Sequence, residues 1–580
     1  MSKRVFFLIS ICSLLVINLL YGQNRGVCGE QLPSLKERKL LKQRFLSWRT
    51  RTDLDDLQIL TIPVVFHFID NDAQPSLSEL GELLTEMNQG FANEGAYATD
   101  YGIDAKIRFC LAKRTPDGGA SDGVNLLTSR YQDVDAALEV PEFVRHVHWD
   151  QDHYVNVWVA NSIREEIAYY SGKFWWQRFG LGGFATNQGV VVEAGALNAG
   201  TLIHELGHYF GLLHPFEGFR SAPCKNDDCL LDGDMVCDTP PDRSIIRSCG
   251  VNSCDTDTLS NFSNLTFFKD TLDMGTNFMD YSECSIEFSH DQIDRMRFTI
   301  ETSYPNLPIE YNTLNQCERP CEIEAVGMKV DRDLVIEGLP VTFTATGANY
   351  GRYEWYVYLD GRSWVVAPDS THLIETTSTF TYTFDTRGWY AVYLKAWNDN
   401  DPACYSSFTR NIMVTCGVDA RFSPEIREIA SKQPDSLFTD STTFVNYSVG
   451  ADNYQWTVNF TDRSGAAPFP EFTSIDVNLT YPFAEPGLYE TQLIATDGTC
   501  TDLSRTYSHF IKDPTMDGSP KITQVSCVNE DSIRVAVTLF NYGFDTINAG
   551  TPLSFYNGNR RGTRNPHCWK DRIGRPHCMG

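Results

Sequence analysis

The chain has 580 residues, 42% of them hydrophobic, which is material for three to five domains with real cores. Its formal net charge of −27 argues against nucleic acid and anionic membrane surfaces as partners. Beyond the N-terminal run no stretch is long and apolar enough for membrane insertion, so the composition fits a soluble exported protein.

Lys3 and Arg4 precede an apolar run from Val5 to Leu20, followed by Tyr21-Gly22-Gln23. Residues 1–22 therefore read as a secretory signal peptide cut near Gly22, since Ser10, Ser13 and Asn18 interrupt a run already short for an anchor. Its removal takes Cys12 and leaves 16 of 17 cysteines, an even number that in an exported chain points to disulfides. Residues 23–56 are basic and helix-prone, from Lys36 to Arg51, with no strand pattern, and read as a prosegment. A first large domain, 57–304, opens with the buried strand Leu60–Phe68. The capping box Ser76-Leu77-Ser78-Glu79 then starts a helix with Leu77, Leu80, Leu84, Met87 and Phe91 on one face. Strands come next at Ala105–Leu111, Tyr154–Val159 and Gly189–Val192. His67, His146, His148 and His153 receive no role, because an isolated histidine is ordinarily a satisfied core or surface residue.

The stretch that organises the chain is His204-Glu205-Leu206-Gly207-His208-Tyr209-Phe210-Gly211-Leu212-Leu213-His214. His204 and His208 are four apart, so on a helix they leave one face a turn apart and can grip one zinc ion. Glu205 stands beside them, where a carboxylate can take a proton from water and hand it to a leaving amine. His214 cannot join if the helix continues, because six more residues at about 100° each carry it roughly 240° round the axis. The helix must stop, and Gly211 is the residue able to take the left-handed conformation that turns the chain back. Beyond lies a loop with Cys224, Cys229, Cys237, Cys249 and Cys254, and with six aspartates between 227 and 242. Asn277-Phe278-Met279-Asp280-Tyr281-Ser282 comes after it, placing Met279 65 residues past His214, with Glu283 and Cys284 directly after.

The HExxHxxGxxH pattern together with a methionine turn is the metzincin signature, and residues 57 to 303 resemble the pappalysin family of zinc metalloproteases. The resemblance implies an α+β metzincin-like catalytic domain, a twisted mixed sheet with a zinc-binding active-site helix. Zinc would be held by His204, His208 and His214, with Met279 supporting the site from below. It implies that Gly189–Val192 edges the cleft and pairs with an extended substrate. Arg25-Gly26-Val27-Cys28-Gly29 is similar to prosegments in which a cysteine, here Cys28, occupies the zinc until activation. The segment from Gly233 to Pro240 resembles a stretch that helps hold calcium, which points to Asp234, Asp238 and Thr239 as hard ligands. Glu283 corresponds to an acidic residue that selects arginine or lysine after the scissile bond. Such a preference would let the enzyme trim its own prosegment before Arg49 or Arg51.

Pro305, Pro308 and Pro320 mark residues 305–320 as a linker. Beyond residue 320 the chain repeats at offsets of 95 to 101 residues: Cys321 with Cys416, Tyr353-Glu354-Trp355 with Tyr454-Gln455-Trp456, Cys404 with Cys500. Short alternating strands make 321–414 and 415–513 two all-β sandwich modules that resemble PKD-type, immunoglobulin-like domains. The matched positions pair Cys321 with Cys404 and Cys416 with Cys500. Their aromatic residues read as core. Residues 514–559 form a partial third β module, with Ile533–Leu539 as its clearest strand, and 560–580 an irregular basic tail.

Two functions compete. One is a secreted metalloendopeptidase acting on proteins or peptides, with Glu205 as general base and Tyr281 helping to stabilise the oxyanion. The other is an adhesin whose sandwich modules bind a surface polysaccharide or protein while the first domain is scaffold. A decayed enzyme is expected to lose its general base first, and Glu205 is present.

Overall fold

The computed structural model describes residues 35–50, 57–69, 74–128, 133–135, 144–164, 168–171, 189–216, 228–242, 249–254, 271–332, 334–348, 350–359, 370–398, 401–424, 442–461, 471–483, 487–504, 506–511, 518–529, 532–541, 568–570 and 576–578. The signal peptide, Cys28 and most of the C-terminal tail lie outside them. The chain divides into two compact units, Met1–Cys416 and Gly417–Gly580. Among the described residues no helix is long and apolar enough to cross a membrane.

The first unit is built on β1 (Leu60–Ile69), whose residues are nearly all buried. Successive side chains of a strand point to opposite faces, and this one feeds two cores. Leu60, Ile62, Val64, Phe66 and Phe68 pack under the helices, while Val65 and Ile69 join separate clusters. Such a double burial explains the unbroken apolar run, as expected of a strand inside a parallel sheet. The first half of β1 pairs with β2 (Ile107–Leu111) and the second half with β3 (Val124–Thr128), both parallel. On its other side run β4 (Val155–Ala160), β5 (Ala168–Ser171) and β6 (Gly189–Glu193), in the spatial order β1-β4-β6-β5. The substrate-edge expectation is corrected here. β6 is paired on both sides, parallel to β4 and antiparallel to β5, so among the described residues β5 and not Gly189–Val192 holds this edge. The chain after β4 folds back as an antiparallel strand, and its short segment carries no periodic signal of its own.

Among the described residues four α-helices flank the sheet: α1 (Leu35–Arg49), α2 (Leu77–Ala92), α3 (Ala199–Tyr209) and α4 (His290–Ser303). α2 begins at the Ser76/Glu79 capping box, and Leu80, Leu84, Met87 and Phe91 supply its buried face. α1 docks through Leu41, Phe45 and Trp48, spaced three and four apart, against Leu213, Met235 and Phe298. Its polar contacts include Lys42 with Asp228 at 2.5 Å, Trp48 Nε1–H donating to Glu301 at 2.7 Å, and Arg49 with Asp291 at 2.9 Å.

Residues 305–320 do not hang free as a linker would. Leu307 is in the core beneath the helices, Thr61 N–H donates to the Glu310 carboxylate at 2.8 Å, and Cys317 is disulfide-bonded to Cys110 on β2. Prolines mark an irregular path, which can be as firmly attached as any helix.

The next region is all-β: β7 (Tyr350–Leu359), β8 (Leu373–Glu375), β9 (Gly388–Asn398) and β10 (Asp401–Thr415) face a three-stranded sheet of 327–330, 340–346 and 379–383. The two sheets enclose Phe343, Trp355, Phe380 and Phe384. β10 also pairs in parallel with β3, Arg410 opposite Leu126 and Ile412 opposite Thr128, so one eleven-stranded sheet runs through both parts of the unit. Cys321 is bonded to Cys404.

The second unit repeats the plan, with a three-stranded sheet (422–424, 442–446, 479–481) facing a five-stranded one around Phe422, Phe444 and Trp456. Trp355 Nε1–H donates to Thr377 O and Trp456 Nε1–H to Asp476 O, each at 2.8 Å, so the repeat reaches individual bonds. Cys416 and Cys500 are both disulfide-bonded. Residues 518–529 and 532–541 form an antiparallel ribbon, and 568–570 pairs with 576–578.

Candidate active site

α3 starts at Asn198, whose side chain accepts from Thr201 N–H at 2.9 Å, and ends at Tyr209. Gly211 has φ +92°, the conformation that lets the chain reverse. A Cβ there would also meet Thr299 Oγ1 at 2.7 Å. The reversal brings His214 back to the helix. His208 Nε2 lies 3.2 Å from His204 Nε2 and 3.1 Å from His214 Nε2.

The other ring nitrogens decide what those three atoms are. His204 Nδ1–H donates to Phe278 O at 2.7 Å and His208 Nδ1–H to Leu212 O at 2.9 Å. Each bond fixes the tautomer that leaves Nε2 as a bare lone pair. Burial pushes His204 down to about 4 and His208 well below the usual imidazole range, so both are neutral at physiological pH. Lone pairs facing one another at about 3 Å repel unless a cation lies between them. Three imidazole Nε2 atoms in this arrangement fit the donor set of a catalytic zinc site, with a fourth position open.

Glu205 is buried at 3% exposure on the same helix. The Tyr281 ring lies 4.9 Å from that of His214 and 5.8 Å from that of His204, centroid to centroid. Met279 is fully buried beneath the helix, and a Cβ placed on Gly207 would come within 2.3 Å of its Sδ. The methionine turn is held by a buried amide pair. Met279 N–H donates to Asn277 Oδ1 at 2.8 Å, and Asn277 and Gln292 exchange two further bonds. The structure therefore adds Gly207, the Phe278 carbonyl, Asn277 and Gln292 to the residues read from sequence. Gln292 was legible only as the end of a capping box on Ser289.

Asp234, Asp238 and Thr239 are engaged in local hydrogen bonds. Asp234 accepts from Thr239 Oγ1–H at 2.7 Å and from Val236 N–H at 3.1 Å. Asp238 accepts from Ser289 Oγ–H at 2.6 Å and Asp291 N–H at 2.8 Å, so it caps α4. Burial, with Asp238 nearby, pushes the Asp234 carboxyl up to about 8. Among the described residues only two sets of three potential ligands converge: the histidine triad, and His290, Asp291 and Asp294, where Arg49 pairs with both aspartates. The calcium stretch is in neither set, and ligation there through backbone carbonyls stays what the resemblance implies. Glu283 is exposed, and its neighbour Cys284 is bonded to Cys249.

Residues 139–301 match the peptidase M43 family, described as Pregnancy-associated plasma protein-A. That match covers less than a third of the chain. An extracellular metalloprotease of Aspergillus oryzae is 39% identical over 100 residues, 17% of this chain and 26% of that protein. Human pappalysin-1 is 30% identical over 179 residues, 29% of this chain and 10% of that protein. The chain spans between a tenth and two fifths of the length of the curated relatives it matches. Among solved structures, Tannerella forsythia promirolysin aligns with 50% of this chain and 99% of its own at 20% identity and a TM-score of 0.37.

Proposed function

We propose that the chain is a secreted zinc metalloendopeptidase of the pappalysin kind. The observation that carries this reading is the convergence of three histidine Nε2 atoms, 3.1 and 3.2 Å apart, two of them tautomer-fixed, beside a buried glutamate. His204, His208 and His214 would hold the ion. Zinc, when bound, supplies a Lewis acid that polarises a carbonyl and makes water more acidic. Glu205 accepts a proton from the attacking water and returns it to the departing amine. Tyr281, whose ring lies 4.9 Å from that of His214, donates its hydroxyl to the oxyanion, and Glu283 carries a preference for arginine or lysine after the scissile bond. The N-terminal leader directs export, and Cys28 blocks the ion until the prosegment is cut.

The test is a peptide-library digest with purified, activated protein beside Glu205→Gln. The variant should keep about one zinc per chain and lose ~10²–10⁴-fold in turnover. Near wild-type cutting by the zinc-loaded variant would remove Glu205 as the base. A library profile unchanged by Glu283→Ala would remove Glu283 from the pocket.

A further inference from the structure

The peptide that joins Gly211 to Leu212 is the pivot that swings His214 back to the helix, and it is gripped at both ends. Its N–H, on Leu212, donates to Gly207 O at 3.0 Å, inside the zinc helix. Its carbonyl, on Gly211, accepts from Arg295 Nε–H at 2.9 Å, from α4. The next carbonyl along, that of Leu212, is the one that accepts His208 Nδ1–H. Rotation of this peptide would therefore move His214 and withdraw the acceptor that fixes His208. Arg295 is 4% exposed and also reaches Met235 O at 3.4 Å, in the acidic loop where Met235 itself sits at φ +61°.

We propose that Arg295 is a positioning residue of the metal site: by holding the Gly211 carbonyl it sets the third histidine and the tautomer of the second, and so sets zinc affinity. This rests on the zinc reading of the histidine triad. The chemistry favours arginine in particular, because one planar fork spans two carbonyls on different segments, which a lysine ammonium on a flexible stem does not reproduce. Without it the buried Gly211 carbonyl loses this charged donor, and one end of the pivot is released.

Arg297 provides an internal control. It is buried on the same helix two residues on, but donates to Ala105 O and Lys106 O, away from the pivot. The experiment compares wild type, Arg295→Met, Arg295→Lys and Arg297→Met as full-length proteins. Zinc affinity is measured by chelator competition, the absorption spectrum is recorded with cobalt in place of zinc, and melting is followed in chelator. Arg295→Met should bind zinc ten- to a hundredfold more weakly, about the effect of losing an outer-shell partner, with a shifted cobalt spectrum. Arg295→Lys should recover part of both. Arg297→Met should melt lower yet keep wild-type affinity and spectrum. If Arg295→Met does not fold, the lysine variant decides by the same two readouts. Affinity within twofold of wild type and an unshifted cobalt spectrum in the folded Arg295 variants would make the residue merely structural and overturn the proposal. Wild-type protein that binds no zinc, or keeps it after His214→Ala, would instead bring down the zinc reading and this inference with it.

Discussion

At Gly207 the distance between helix and methionine turn is set by the absence of one carbon. A Cβ there would stand 2.3 Å from Met279 Sδ, far inside contact distance, and Met279 is enclosed on all sides. Gly207→Ala should therefore lower stability by about 1–3 kcal/mol, the usual cost of overfilling a packed core, read as a fall in melting temperature. Zinc should weaken too, since the same turn carries the Phe278 carbonyl that orients His204. Asp234 yields a prediction in pH. Its folded pKa, near 8, lies above the ordinary carboxylate value, so its share of stability is complete below about pH 4 and is lost as pH rises through 8. Asp234→Asn should remove that component. Relative to wild type the variant should gain stability steadily from pH 5 to pH 8.5 in calcium-free buffer, measured by denaturant melts. A constant difference would refute the raised pKa, and a wild-type slope abolished by added calcium would place the ion on Asp234 after all.

The elements sharpen what can be said of maturation. Two bonds are candidates for trimming by sequence, before Arg49 and before Arg51. The first lies in the last turn of α1, between a tryptophan 6% exposed and an arginine paired with Asp291 and Asp294. A peptidase cleft takes an extended strand, so a bond inside a docked helix is protected until the helix leaves. N-terminal sequencing of autoprocessed protein should then find the cut beyond Arg49. Arg49→Ala, which removes the ion pairs, should speed processing, and a product beginning at Arg49 in wild type would contradict the idea.

At the scale of the molecule the first sandwich is an extension of the metalloprotease sheet. Asp117 accepts from Ser407 Oγ–H at 2.7 Å and Tyr393 Oη–H at 2.5 Å, and Ala120 N–H donates to Tyr405 O at 2.9 Å. His67 Nε2–H donates to Asn156 at 2.7 Å and its Nδ1 accepts from Asn125, whose amide also reaches Asn411 on β10 at 3.4 Å. A chain ended at residue 320 would leave these buried groups and the outer edge of β3 unpaired. It should express as aggregate or melt well below a chain ended at 416, and equal melting temperatures would show the two parts to be independent. Peptide mapping without reduction should find Cys321 with Cys404, and checks the matched expectation for Cys416 with Cys500.

What the sequence determined by itself was whatever depends on neighbours along the chain. The spacing of His204 and His208, the need for a break at Gly211, the capping box at Ser76, and the repeated tyrosine-x-tryptophan strands all derive from the chain's local patterns. Tertiary structure decided what depends on partners distant in sequence. Which strand edges the sheet, the fusion of β3 to β10, the attachment of 305–320 and the grip of Arg295 on Gly211 each join segments tens to hundreds of residues apart. Local periodicity carries no trace of such pairings. A buried backbone carbonyl needs a donor, but only the folded chain settles which residue supplies it.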